Sequence, residues 1–225
     1  MPDNTHCLNC DTILPHGAKF CAGCGQSTTP TERSFSGFVR QSIHEFLDID
    51  GRFAFTLRTL FLKPGLAAYE ISQGKRVRYT PALRLYLVAS LLFFLIFASF
   101  QNIYAANSAV DVYSRAMLVL FPLYALLINC FFWKSFYLAN LVFSMHIHSV
   151  AYAVLMIIGP LEAMESKSEM FVFIQAIPAT YFAWYLLKAF KVMFREPWWK
   201  TIIKTMGVYF IYMAAMGVVF DVVLS

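Results

Sequence analysis

The sequence predicts an all-α integral membrane protein of about five spanning helices, preceded by amphipathic helices and a small N-terminal zinc ribbon. Three observations predict it: an apolar composition, five long apolar runs, and four cysteines in two close pairs. Of the 225 residues, 59% are hydrophobic and 14% charged. A soluble chain carries nearer 45–50% and about 25%. Mean hydropathy is +0.60. So few charged residues cannot coat a water-soluble core of this size, so the surplus apolar surface is expected to face lipid.

The order along the chain divides into residues 1–30, a zinc-ribbon knuckle; 31–79, a basic amphipathic juxtamembrane segment; and 80–225, a five-helix transmembrane domain. The N-terminus is polar and has no early apolar stretch of the secretory kind. Membrane targeting is therefore expected to rest on the first span.

In the knuckle, Cys7-Leu8-Asn9-Cys10 and Cys21-Ala22-Gly23-Cys24 stand ten residues apart. Two residues between thiolates let one tight turn aim both sulfurs at one ion, and two such turns complete a tetrahedral site. Pro15-His16-Gly17 is placed to reverse the chain between them. Gly23 and Gly25 are expected to adopt the backbone that glycine tolerates best. About 25 residues cannot bury a core of their own, so metal binding would drive folding here. The expected cofactor is one structural Zn2+ held by Cys7, Cys10, Cys21 and Cys24. Iron, thiol redox chemistry and disulfides are the alternatives. Disulfides suit an oxidising compartment, whereas the charge pattern below puts these cysteines in a reducing cytoplasm. Four thiolates leave no open position for catalysis. Cys130 lies within an apolar run and reads as a small hydrophobe.

In the juxtamembrane segment, apolar residues recur at helical spacing through Phe35, Phe38, Val39, Ile43, Phe46 and Leu47. They resume with Phe53, Phe55, Leu57, Leu60 and Phe61. Arg40, Arg52, Arg58 and Lys63 add a basic side. Such helices either lie in the headgroup layer or pack on the spans. Pro64-Gly65 ends the second helix. Lys75, Arg76 and Arg78 then precede the first span, where they would hold an anionic headgroup or a phosphate, or simply orient the chain.

The apolar runs are Pro81–Tyr104, Tyr113–Trp133, Phe136–Pro160, Met170–Phe190 and Ile202–Leu224. Each approaches or exceeds the roughly 20 residues that cross 30 Å of hydrocarbon. The second has the shortest usable core, and a re-entrant helix is its alternative. With the N-terminus inside, sixteen of the eighteen Lys and Arg fall on the inner side. Only Arg115 and Lys167 fall outside, as the positive-inside rule requires. Ser225 is then expected outside. The net charge of +5 reads as topology, so no nucleic-acid partner is expected.

Within the spans, His146 and His148 are the candidate intramembrane polar site. Their i,i+2 spacing puts them about 200° apart, so a regular helix cannot aim both at one metal. Hydrogen bonding between helices, a ligand or proton role, and metal binding are the alternatives. Asn129, Asn140, Ser144 and Gln175 are the expected partners. Pro122, Pro160 and Pro178 are expected to open room between helices.

Pro64-Gly65, Tyr69, Gly74-Lys75-Arg76, Tyr79, Pro81, Arg84 and Tyr86 resemble the signature of the bacterial domain-of-unknown-function family 3667. The cysteine pairs ending in Cys24-Gly25-Gln26, and Leu141 to His148, are also similar to it. The resemblance implies a bacterial inner-membrane protein with a zinc-ribbon start, and brings no activity.

No HExxH, GxSxG or Gly-rich phosphate loop occurs. His44, Glu45, Asp48 and Asp50 cluster at a helix end, where acids serve as caps. The expectation is a non-enzymatic scaffold whose ribbon binds a protein partner at the bilayer. A small transporter or channel using His146 and His148 is the alternative, and a lipid-acting membrane enzyme the third.

Overall fold

The computed structural model describes residues 5–28, 51–99, 109–164 and 170–224. In chain order the described helices are α1 (Gly51–Leu62), α2 (Leu66–Ser72), α3 (Ala82–Ser99), α4 (Ala109–Phe131), α5 (Tyr137–Ala163), α6 (Met170–Phe194) and α7 (Trp198–Leu224). Ahead of them the cysteine segment folds as turns tied by two isolated antiparallel bridges, His6 with Ile13 and Phe20 with Ser27.

The described residues of each of the five apolar runs fall largely in helices. Three of the helices, α5, α6 and α7, are long and apolar enough to cross a membrane. The apolar parts of α3 and α4 within the described residues are shorter, Ala82–Ile96 and Leu120–Phe131. The expected first half of the amphipathic segment and the acidic cluster at 44–50 lie outside the described residues.

Helix α5 is the hub, packing against α3, α4 and α6, with α2 and α1 also against it, while α7 closes on α4 and α6. Its residues from Asn140 to Tyr152 are all buried. That explains why it carries polar side chains: a helix enclosed by others can satisfy them internally. Helix α6 is the opposite case, apolar and largely on the outside, with Phe173 and Ile177 exposed. Pro122, Pro160 and Pro178 all lie inside continuous helices.

Of the two readings of the amphipathic segment, packing describes α1. Leu60 belongs to the core, with Phe53, Leu57 and Phe61 packed against it. Tyr181 of α6 donates its hydroxyl to the carbonyl of Phe61 at 2.8 Å. The turn after α1 needs its glycine twice over. Gly65 has φ 78°, and a Cβ there would lie 2.4 Å from the carbonyl oxygen of Ala189 on α6. No other residue type allows that approach.

The basic segments gather at one end of the bundle. Arg195, after α6, stacks over the Tyr69 ring of α2 at 4.1 Å. Phe132, at the α4–α5 turn, stacks on Phe194 at 4.0 Å and lies under the Lys204 ammonium at 4.8 Å. The α4–α5 turn, the α6–α7 turn and the juxtamembrane loop thus share one end.

Candidate metal centre and polar sites

The two cysteine pairs are built alike. The amide of Cys7 donates to the carbonyl of Thr12 and that of Asp11 to Cys7, both at 2.9 Å. In the second pair the amide of Cys21 donates to Gln26 and that of Gly25 to Cys21, both at 2.8 Å. Each loop thus closes five residues on from its first cysteine. The residue after its second cysteine lies in the left-handed region, Asp11 at φ 62° and Gly25 at φ 72°. Aspartate is among the few residues with a Cβ that visit this region readily. Gly17, at φ 74°, makes the expected reversal, with Ala18 donating to Pro15 at 3.0 Å. Gly23 corrects the expectation. It is not among the positive-φ glycines, and its need is space, since a Cβ there would meet Thr12 Oγ1 at 2.7 Å.

These turns bring the sulfurs of Cys7, Cys10, Cys21 and Cys24 within 4.8 Å of one another. The Cys7–Cys24 and Cys10–Cys21 separations are both 3.6 Å. Ligands 2.3 Å from a central ion at tetrahedral angles stand about 3.8 Å apart. The four cysteines are free thiols, and their arrangement could hold one metal ion. The hydroxyl of Thr12, 3.1 Å from Cys10 Sγ, together with its amide, lowers that thiol to about 6, while burial pushes the Cys24 thiol up to about 11.

The cysteine cluster rests on the loop before α3. Gln26 Nε2 donates to the carbonyl of Gly74 at 2.9 Å, and Gln26 Oε1 accepts from the amide of Arg76 at 3.3 Å. Gly74, at φ 96°, passes so close to Leu8 that a Cβ would meet Leu8 Cδ1 at 2.9 Å.

That loop carries the three expected anion contacts, and the structure gives two of them another partner. Lys75 Nζ and Arg78 Nη1 lie 3.4 and 3.7 Å from the Glu70 carboxylate. The Tyr79 hydroxyl donates to the same carboxylate at 2.5 Å, and the Arg78 guanidinium stacks over Phe55 at 4.7 Å. Burial raises the Glu70 carboxyl, but the Tyr79 hydroxyl, Lys75 and Arg78 outweigh it and hold it below its ordinary value. Arg76 stays out of this cluster, held by its backbone to Gln26. Glu70 was not among the sequence-predicted residues; a lone acid followed by Lys75, Arg78 and Tyr79 was the available signal.

The structure separates the two histidines. His148 Nδ1 lies 2.8 Å from the Ser144 carbonyl, so Nδ1 carries the proton and donates. Nε2, 2.8 Å from the Tyr212 hydroxyl of α7, then accepts. The rings of Tyr124 and Tyr212 meet the imidazole edge-on at 5.3 and 5.8 Å. His146 is equally buried, and neither of its ring nitrogens has a hydrogen-bond partner. Of the expected partners, Ser144 meets His148. Asn140 instead donates to Asn129 at 3.0 Å. Tyr212 and Tyr124 were missed, lying in other apolar runs with no local pattern to tie them to His148.

Among the described residues, fold and sites thus define an all-helical chain with three helices long and apolar enough to cross a membrane and a four-cysteine cluster at its N-terminal end. Residues 50–94 match the model of a family described as Protein of unknown function (DUF3667), the family the sequence resembles. The matched stretch runs through α1, α2, the Gly74 loop and most of α3. The cysteine pairs and the histidines lie outside it. No curated protein matches the chain, and no solved structure does.

Proposed function

We propose that this is a bacterial inner-membrane protein of five spans, its N-terminus cytoplasmic and Ser225 outside, carrying one structural zinc ion. It works without catalysis, as a scaffold that binds a protein partner through the ribbon. The observation that carries the reading is the ribbon itself. It is docked on the juxtamembrane loop by Gln26, yet Ile13 and Phe20 are 72% and 66% exposed among the described residues. Large apolar side chains on so small a unit are contact surface in waiting. The convergence of the three basic segments at one end supports the orientation, because one cytoplasmic face then holds them all. Four thiolates at tetrahedral spacing support zinc over harder metals.

In-cell photocrosslinking from position 20 of the full-length protein tests it. The expected result is one defined protein adduct, lost on Ile13→Ser and on Cys21→Ser while the protein stays in the membrane. Adducts indifferent to both changes would sink the scaffold reading. A reporter fused after Ser225 and found in the cytoplasm would sink the topology.

A transporter reading is favoured by one observation: of the two histidines, only His148 lines a cavity between the helices. Proton-dependent flux in proteoliposomes, lost in His148→Ala and kept in His146→Ala, would establish it.

A further inference from the structure

The cavity lies between α4, α5, α6 and α7 and measures about 550 Å³. That falls within the 300–1,000 Å³ of ordinary ligand pockets. Its rim is open between α6 and α7, where Ala183, Met206 and Tyr209 line it while remaining exposed. These two helices are long and apolar enough to span a membrane, so the opening faces hydrocarbon rather than water. No Lys, Arg, Asp or Glu is among the described residues that line it. A charged ligand group would be uncompensated at this depth, which excludes ionic headgroups from the interior.

The floor is not wholly apolar. Thr205 is 4% exposed, lines the cavity, and its Oγ1 has no hydrogen-bond partner. A buried hydroxyl without a partner costs free energy that an oxygen of a ligand would recover. The His148–Tyr212 pair lines the same cavity, two turns further along α7, with its hydrogen bond already made, so it holds the wall in place. The walls between are Met, Leu, Ile and aromatic side chains, which fit an alkyl chain.

We infer that the cavity binds a neutral single-chain lipid with a hydroxyl head, entering sideways between α6 and α7 and placing its oxygen on Thr205. This goes beyond the scaffold reading and rests on α6 and α7 lying in a membrane.

The test uses the full chain, purified in detergent and placed in phosphatidylcholine nanodiscs, with a photoreactive long-chain alcohol as the probe. Adducts should map to residues 179–187 and 202–216 and be displaced by excess unlabelled long-chain alcohol. Ala183→Trp and, separately, Met206→Trp should abolish them by filling the opening, with an unchanged thermal transition showing that each variant is folded. Thr205→Val should weaken displacement roughly two- to tenfold, the span of one neutral hydrogen bond. Adducts spread evenly over exposed positions such as Phe173 and Phe210, and indifferent to both tryptophans, would overturn the inference. So would crosslinks joining α6 and α7 to a second copy of the chain in place of lipid adducts. Release of the protein from native membranes by alkaline carbonate would instead overturn the membrane reading, and is scored separately.

Discussion

Gln26 and Gly74, 48 residues apart, hold the cysteine ribbon to the helical bundle: the Gln26 amide donates to the Gly74 carbonyl at 2.9 Å and accepts from the next amide but one, Arg76. Gln26 is buried, so both of its polar ends would be costly to leave unmade. Its backbone carbonyl also closes the second cysteine loop. One residue therefore joins the four-cysteine cluster to the basic loop. Gln26→Ala should raise hydrogen–deuterium exchange across residues 73–78 by an amount equivalent to about 1–2 kcal/mol of local stability. Gln26→Glu should cost more, because a carboxylate cannot donate to the Gly74 carbonyl. Exchange unchanged in both variants would show that the contact holds nothing.

The same coupling makes metal removal visible at a distance. Elemental analysis should find one zinc per chain, absent in Cys21→Ser. Chelation should unfold residues 5–28, since metal binding and folding are one event in so small a segment. It should also expose the Gly74 loop to exchange. A chelated protein with an unperturbed loop would separate the two sites.

Glu70 gives the loop a pH dependence of known sign. Its carboxyl is held below its ordinary value, so its contribution is present above the unfolded value near 4.3 and is lost as pH falls through the lower folded value. Lys75 and Arg78 are 40% and 50% exposed, so solvent screens both pairs and the effect is about 1 kcal/mol or less. Protection of residues 73–80 should therefore decline in acid for the native protein. In Glu70→Gln it should stay flat over the same range.

The two histidines should respond oppositely to removal. Tyr212→Phe strands Nε2 of His148 in a buried setting and should cost about 1–3 kcal/mol in thermal or denaturant unfolding. A double-mutant cycle with His148→Leu should show coupling between the two. His146→Leu removes a buried ring that has no partner, and should be neutral or stabilising. A large loss of stability in His146→Leu would contradict its lack of a partner.

Gly65→Ala should be among the most damaging changes to a small residue. It combines a positive φ with a 2.4 Å approach to the Ala189 carbonyl, and backbone cannot step aside as a side chain can. A loss of about 3 kcal/mol or more is expected, read as a fall in folded yield and in the unfolding temperature. Gly17→Ala has the same sign of φ but open space around it, and should cost about 1 kcal/mol.

Much of this was legible because it is local. Two cysteines three positions apart can only be brought together by a tight turn, and glycine after Cys24 marks the left-handed residue that closes it. Helical runs announce themselves by length and apolarity. Gly23 was misread because a steric requirement and a conformational one look the same in a sequence: only the neighbour, Thr12, tells them apart. Lys75 and Arg78 read as candidate anion contacts because Glu70 lies on the preceding helix, and the turn that folds it back was not evident.

The sequence by itself determined that the chain is helical, that its long helical runs are apolar, that its basic residues divide unevenly, and that four cysteines are spaced for one ion. Each follows from composition or from contacts a few residues long, where chain geometry leaves few choices. Tertiary structure alone decided which partners the polar groups take. It gave His148 to Tyr212 and left His146 without one, turned Lys75 and Arg78 onto Glu70, and docked the ribbon through Gln26. It also left Thr205 facing an open cavity. Those pairings join residues far apart in the chain, and which of them meet depends on how whole helices pack, since packing is cooperative and no short window of sequence contains it.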